Sequence, residues 1–230
     1  MSSAGRSATG PSAGHLSTRR YLTGGTLLPT LTATAPTLIT LDAEDRIIED
    51  GLVAAKDGVL TYVGSAQDYG GPRRADVQLA GPDCVLLPGL VNAHTHISMT
   101  LYRGFADDMP LKQWLEEKIW PLEEARQPGD VYWGTLLGIA EMIRSGTTCF
   151  NDMYWDFEDV ARAVRESGHR ACVSGVLIGV HPQAEEQFAQ AVDFVRATKA
   201  ENHPRLHPMF GPHAPYTCPD AYLERVAAAA

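Results

Sequence analysis

The sequence has little that would fix a fold by covalent or bulk electrostatic means. Its four cysteines, Cys84, Cys149, Cys172 and Cys218, are widely scattered and show no CxxC spacing. That excludes a disulfide framework and a thiolate zinc cluster, and it points to free buried thiols in a reducing, cytoplasmic compartment. Positive charge is scarce as well: 19 Lys and Arg stand against 28 Asp and Glu, for a formal net charge of -9. Nucleic acid and anionic membrane surfaces are therefore excluded as partners. No apolar run approaches the roughly 18 residues a membrane helix needs. What is there is ordinary globular material, 230 residues at 44% hydrophobic and 20% charged, enough for one large domain or two small ones.

Residues 1–19 are mostly Ser, Gly and Ala, so they cannot offset the entropy of ordering and are expected to form a disordered tail. Arg19-Arg20-Tyr21-Leu22, with Ala33-Thr34-Ala35 further on, resembles a twin-arginine export signal in outline. Pro36 at the would-be new N-terminus, and Gly24, Gly25 and Pro29 inside the apolar run, favour an irregular first strand instead. Within residues 20–88 the pattern then has a period near two (TLITLD, GLVAAKDG, VLTYVG, ADVQLAG), and Asp57-Gly58 between apolar runs is a hairpin signal. This predicts a β-sandwich portion built on a small antiparallel sheet.

From residue 89 to 230 short apolar runs alternate with helical segments, which implies parallel strands joined by right-handed crossovers. Strands are predicted at Leu90–His94, Thr147–Asp152, Arg170–Val176 and Leu206–Phe210. Helices are predicted at Val131–Arg144, Asp156–Ser167 and Ala184–Glu201, with a last one opening at Pro219-Asp220, while a long loop carries Trp114, Trp120 and Glu123. The fold class is α/β: the first half, about four β/α units, of a (β/α)8 TIM-like barrel, preceded by the sandwich portion. A closed barrel needs eight units. Half of one leaves open apolar strand edges, so the chain is expected to be the N-terminal half of a longer protein, or to have its edges covered by a partner.

Leu86 to His96, LLPGLVNAHTH, ends an apolar run in two histidines one residue apart. Residues i and i+2 of a strand share a face, so the imidazoles of His94 and His96 project together as half of a zinc site. A bare HxH is more often a pair of ordinary histidines. The apolar strand, the Pro88-Gly89 turn and the polar Asn92 place this one at a strand's carboxyl end, where barrel enzymes keep their active sites. His213, in Gly211-Pro212-His213 after strand four, opens at the same mouth. His181, His203 and His207 sit in Pro-flanked polar contexts and read as surface or turn residues, Asp107-Asp108 as a loop turn. Asp152 points to the correct barrel end or caps the helix that follows.

PGLVNAHTHISMTLYRGFADDMPLKQWLEEKIWPLE (Pro88 to Glu123), GTTCFNDMYW (Gly146 to Trp155) and GPHAPYTC (Gly211 to Cys218) together resemble, in order, blocks of the metal-dependent amidohydrolase superfamily. The resemblance is to its aminohydrolase branch of S-adenosylhomocysteine and methylthioadenosine deaminases, guanine and cytosine deaminases and triazine hydrolases. It implies hydrolysis at a carbon–nitrogen bond outside peptides, foremost deamination of a heteroaromatic amine of purine, pteridine or triazine type. It implies His94 and His96 as metal ligands, Glu123, Trp114 and His213 as substrate-binding residues, and His213 as catalytic as well. Strand four, LHPMF, lacks the lysine that bridges two metals in binuclear members. One divalent metal is therefore expected, zinc first, with iron or manganese as the other candidates. The family's remaining ligands come from later strands with no counterpart here, so the chain alone is expected to be incomplete for catalysis. Adenosylhomocysteine-type members place an arginine after strand three. Here Cys172 to Val195 contains none, and Gly175 aligns at that position, which favours a neutral heteroaromatic substrate. The partner is thus a small molecule, and a homo-oligomer is compatible. The competing readings are a non-catalytic polypeptide that pairs with another subunit, and a cyclic-amide hydrolase of the dihydroorotase or imidazolonepropionase kind.

Overall fold

The computed structural model describes residues 30–72 and 74–230. The expected tail of residues 1–19 and the twin-arginine run lie outside the described residues. The chain divides into two compact units, the division falling between Pro88 and Gly89.

The first unit is a five-stranded sheet. Strands β1 (Leu31–Ile39) and β2 (Ile47–Lys56) pair antiparallel, and β2 pairs antiparallel with β3 (Val59–Ser65). The β2–β3 turn is Asp57-Gly58, with φ of 52° and 79°. Positive φ at both central residues is the two-residue hairpin geometry that Asp-Gly favours. Strands β4 (Val77–Ala80) and β5 (Val85–Leu86) join the other edge of β1 and run parallel to it. Period-two alternation gives a strand's faces but not its direction; here β4 pairs with the edge of β1 away from β2 instead of turning back beside β3. Thr30 and Asp76 tie the starts of β1 and β4 together, the Thr30 N–H and hydroxyl both donating to Asp76 Oδ2 at 3.0 and 2.9 Å.

The second unit is a parallel sheet in sequence order, with β6 (Leu90–Thr95), β7 (Thr147–Tyr154) and β8 (Arg170–Leu177) side by side. The fourth strand is broken into β9 (Leu206–Pro208) and β10 (Gly211–Pro212), both against β8. Pro208 and Pro212 have no N–H to give. The N–H groups of Met209 and His213 carry the ladder instead, donating to Val173 and Leu177 carbonyls at 2.9 Å each.

After β6 come a 3-10 helix (Ile97–Tyr102) and a helical run made of α1 (Leu111–Trp114), a π turn (Leu115–Ile119) and α2 (Trp120–Glu124). A long loop carrying Trp114, Trp120 and Glu123 is expected here, and the structure makes it largely helical. Pro110 and Pro121 each sit at a helical start, Pro110 as the N-cap of α1 and Pro121 in the first turn of α2, where a missing N–H costs nothing. Crossover helices α3 (Asp130–Arg144), α4 (Phe157–Ser167) and α5 (Ala184–Glu201) follow within a residue of expectation, and α6 (Asp220–Ala229) closes the unit. Asp156 precedes α4 at φ 46° and gives its carboxylate to Arg126 at 3.2 Å. Gly168, φ 70°, ends α4 in the left-handed turn that favours glycine.

The core lies between sheet and helices. Phe150 and Tyr154 of β7 and Ala171 and Val173 of β8 bury against Val160, Ala161 and Val164 of α4 and Phe194 of α5. The 3-10 helix packs on α3 at unusually close range: a Cβ on Gly134 would lie 2.4 Å from the Ser98 carbonyl oxygen, and one on Gly138 2.4 Å from Ile97 Cγ1. Among the described residues no helix is long and apolar enough to cross a membrane.

Candidate active site

The register of β6 against β7 slips between Asn92 and Thr95. That irregularity ends the strand and turns its last residues toward the mouth of the sheet. His94 and His96 stand there with ring centroids 5.1 Å apart and planes 78° to one another. His96 Nδ1 lies 2.6 Å from the Met153 carbonyl oxygen. A carbonyl only accepts, so Nδ1 carries the proton and Nε2 keeps its lone pair.

Just behind the pair, Asp152 is fully buried on β7. Its Oδ1 accepts the Ile97 N–H at 2.7 Å, and its own carbonyl accepts the Ser174 hydroxyl at 3.0 Å. It holds Ile97, the first residue of the 3-10 helix, and does not cap α4, the helix that follows it in sequence. Burial pushes its pKa up to about 7, against a smaller lowering by the Ile97 N–H.

Glu123 sits on α2, not on a loop. Tyr154 O–H donates to one of its oxygens at 2.7 Å and Trp155 Nε1–H to the other at 3.0 Å. Glu116, Glu117 and Glu124 nearby are exposed, while Glu123 is half-buried. Tyr154 in turn lies beside His96, ring centroids 6.0 Å apart. Burial, then the Glu123 charge, raises the Tyr154 pKa.

His213 follows β10, its Nδ1 3.0 Å from Thr217 Oγ1, and Thr217 donates its hydroxyl to the Ala214 carbonyl at 3.1 Å. A hydroxyl has one hydrogen, so in this arrangement Thr217 accepts from His213 Nδ1–H and the His213 Nε2 lone pair is free. Partial burial, more than anything else, lowers the His213 pKa.

His96, Trp114, Glu123, Trp155 and His213 all line one open cleft of about 1910 Å³. His94 is exposed and is not among the residues that line it; it is joined to the cleft only through its ring contact with His96. His181, expected at the surface or in a turn, lines this cleft too, its ring 6.3 Å from that of Trp155. Only its partners in space reveal this: the sequence around it shows no spacing pattern. At Gly175 a Cβ would lie 2.5 Å from the ring edge of Phe157, so a side chain there requires that ring to shift. His207 is exposed on β9, and His203 accepts the Arg205 N–H at 3.2 Å.

The donor set fits part of a metal site. Two imidazoles are neighbours, and His96 has one ring nitrogen tied to a carbonyl as metal-ligating histidines do. Among the described residues no third His, Cys, Asp or Glu joins them. A catalytic zinc ordinarily takes three protein ligands.

The model of the Amidohydrolase family matches residues 85–230. The chain belongs to the amidohydrolase family. It is 47% identical over 190 residues to a 5-methylthioadenosine/S-adenosylhomocysteine deaminase of Pelotomaculum thermopropionicum, covering 83% of this chain and 44% of that protein. A solved adenosine deaminase of Xanthomonas campestris with bound zinc is 39% identical, with a TM-score of 0.78 over 86% of this chain and 46% of that one. An atrazine chlorohydrolase of Arthrobacter aurescens, solved with zinc, is 17% identical at a TM-score of 0.68, over 86% of this chain and 51% of that one, a likeness of fold alone. The chain thus spans under half the length of the curated relative. The family's fold agrees with the expected partial (β/α)8 barrel preceded by a β-sandwich portion, and the ring-opening alternative finds no support in these likenesses.

Proposed function

We propose that the protein carrying this chain is a metal-dependent hydrolase that deaminates a heteroaromatic amine of the adenosine type. The observation that supports the reading is the His94–His96 pair, whose His96 is held by the Met153 carbonyl and lines the same cleft as Glu123 and His213. A single divalent metal, zinc first, would be held by Nε2 of His96 and by His94, with further ligands from outside this chain. When bound it supplies Lewis acidity at the reacting carbon. In the reaction, the oxygen of water bonds to the amino-bearing ring carbon, the exocyclic C–N bond breaks and ammonia leaves. The His213 Nε2 lone pair can accept an N–H of the amine and so orient it. Each Glu123 oxygen already accepts one protein hydrogen bond and retains a lone pair for a substrate hydroxyl. Trp114, Tyr154 and Trp155 give the ring an apolar wall that limits water.

The test is turnover by the intact, metal-loaded protein on adenosine and methylthioadenosine, followed by the change of the adenine chromophore to hypoxanthine. His213→Ala is expected to keep the metal and lose turnover by about 10²-fold or more. Loss of metal from that variant would make His213 a ligand. No turnover of either amine would overturn the reading.

A further inference from the structure

The outward side of α3 departs from the pattern of its neighbours. Helices α4 and α5 both turn charge to solvent, through Glu158, Arg162 and Glu166 on one and Glu186, Asp193 and Arg196 on the other. In α3 no charged residue stands between Asp130 and Glu141. Val131, Thr135 and Ile139 are buried, and at helical spacing the opposite side carries Trp133, Leu137 and Ala140, all exposed, Trp133 at 65% and Leu137 at 44%. Gly134 and Gly138 face the 3-10 helix, which therefore covers a flank of α3 and not this side. Trp133 is braced edge-on against the Tyr132 ring, centroids 5.1 Å apart, so it projects as a fixed knob with little freedom left to lose.

A helix that is apolar on all sides is ordinarily covered on all sides. Further β/α units do not supply that cover. They join a barrel at the free edges of its sheet and set their helices beside α3 in the outer ring, which leaves its outward side open. The stripe is instead complementary to itself. Leu137 lies midway along it, seven residues from Asp130 at one end and seven from Arg144 at the other. A second copy turned about a two-fold axis through Leu137, with the two helices antiparallel, brings Asp130 of each to Arg144 of the other, and the positive end of each helix dipole to the negative end of its mate. Both charges are available. Among the described residues Arg144 enters no ion pair, and Asp130 spends only Oδ2, which accepts the Gln127 N–H at 2.8 Å.

We propose that the outward side of α3 is a docking surface for a second copy of this chain, an antiparallel helix pair with Leu137 on the two-fold axis and Trp133 as its anchor. The proposal does not depend on the deaminase reading.

The experiment reads the mass of the intact protein by sedimentation velocity over a range of concentrations. A dimer is expected. Leu137→Arg, which sets two guanidinium groups against each other on the axis, is expected to raise its dissociation constant by about tenfold or more, and Arg144→Glu should weaken it as well. Val91→Lys, on the β6 edge, should leave it unchanged. Leu137→Cys in a Cys84→Ser background gives a readout that tolerates a poorly folding Arg variant: on the axis the new thiol meets its own copy, so diamide should join two chains by a disulfide, whereas Trp133→Cys, off the axis, should not be joined. A monomer at every concentration overturns the proposal and assigns the stripe to another segment of the intact protein. A dimer of unchanged affinity in Leu137→Arg, a dimer lost in Val91→Lys, or no cross-link from Leu137→Cys overturns it equally.

Discussion

At the scale of single residues, the arrangement turns on Asp152, whose buried carboxyl holds the backbone directly after His96. Its pKa in the fold, about 7, stands above the ordinary 3.8, so the folded protein keeps a proton there that the unfolded chain releases. Its contribution to stability is complete below pH 3.8 and is lost as pH rises toward 7, with a slope of at most about 1.4 kcal/mol per pH unit. Asp152→Asn keeps an acceptor for the Ile97 N–H and removes the ionisation. Urea denaturation across that window should show a flatter profile for the variant, and at pH 8 no loss of stability; a parallel profile would place the titration elsewhere. The histidine pair makes a separate prediction. His94→Ala and His96→Ala should each lower the bound-metal stoichiometry of the intact protein, read by elemental analysis, and unchanged metal in the double variant would sink the assignment. HxH was legible because two ligands of one strand lie two residues apart. Asp152 was legible as a residue of the barrel end, though not as the buried partner of Ile97, 55 residues away; His181 was not legible, since Trp155, the ring beside it, is unremarkable in sequence.

At the scale of elements, the contact between α3 and the 3-10 helix carries its own test. Alanine in a helix interior ordinarily gains about 1 kcal/mol over glycine. At Gly134 the added methyl meets the Ser98 carbonyl at 2.4 Å, backbone that cannot swing aside, and overpacking costs about 1–3 kcal/mol. Against rigid backbone the clash sits at the upper end of that range and wins, and Gly134→Ala should be destabilising by up to about 2 kcal/mol, seen as a lowered denaturant midpoint at constant m-value. A stabilised variant would mean the two helices are free to part. Amphipathic periodicity made α3, α4 and α5 readable almost to the residue. The run Leu111 to Glu124 was hidden because a proline signals a break or a start with the same letter, and only the neighbours in space decide which.

At the scale of the whole molecule, β6 lies at the end of its sheet and exposes Leu90 and Val91 at 55% and 67%. An unpaired apolar strand edge is a template for association. The 230-residue chain alone should self-associate with rising concentration in sedimentation velocity, and Val91→Lys should reduce it; a well-behaved monomer at all concentrations would show the edge to be harmless. The parallel β/α order was plain from alternation of short apolar runs and helices. The direction of β4 and β5 was not, because both orientations present the same faces. Two contacts have a kinetic meaning. His96 meets Met153 across 57 residues and Ile97 meets Asp152 across 55, and closing loops of that length carries an entropy that local helices do not face. The pair at the end of β6 emerges early from the ribosome but has no fixed tautomer or direction until β7 has been made and has docked. Affinity for an ion should therefore arise late in folding, in step with β7, and a refolding trace monitored by metal uptake should lag one monitored by helix content.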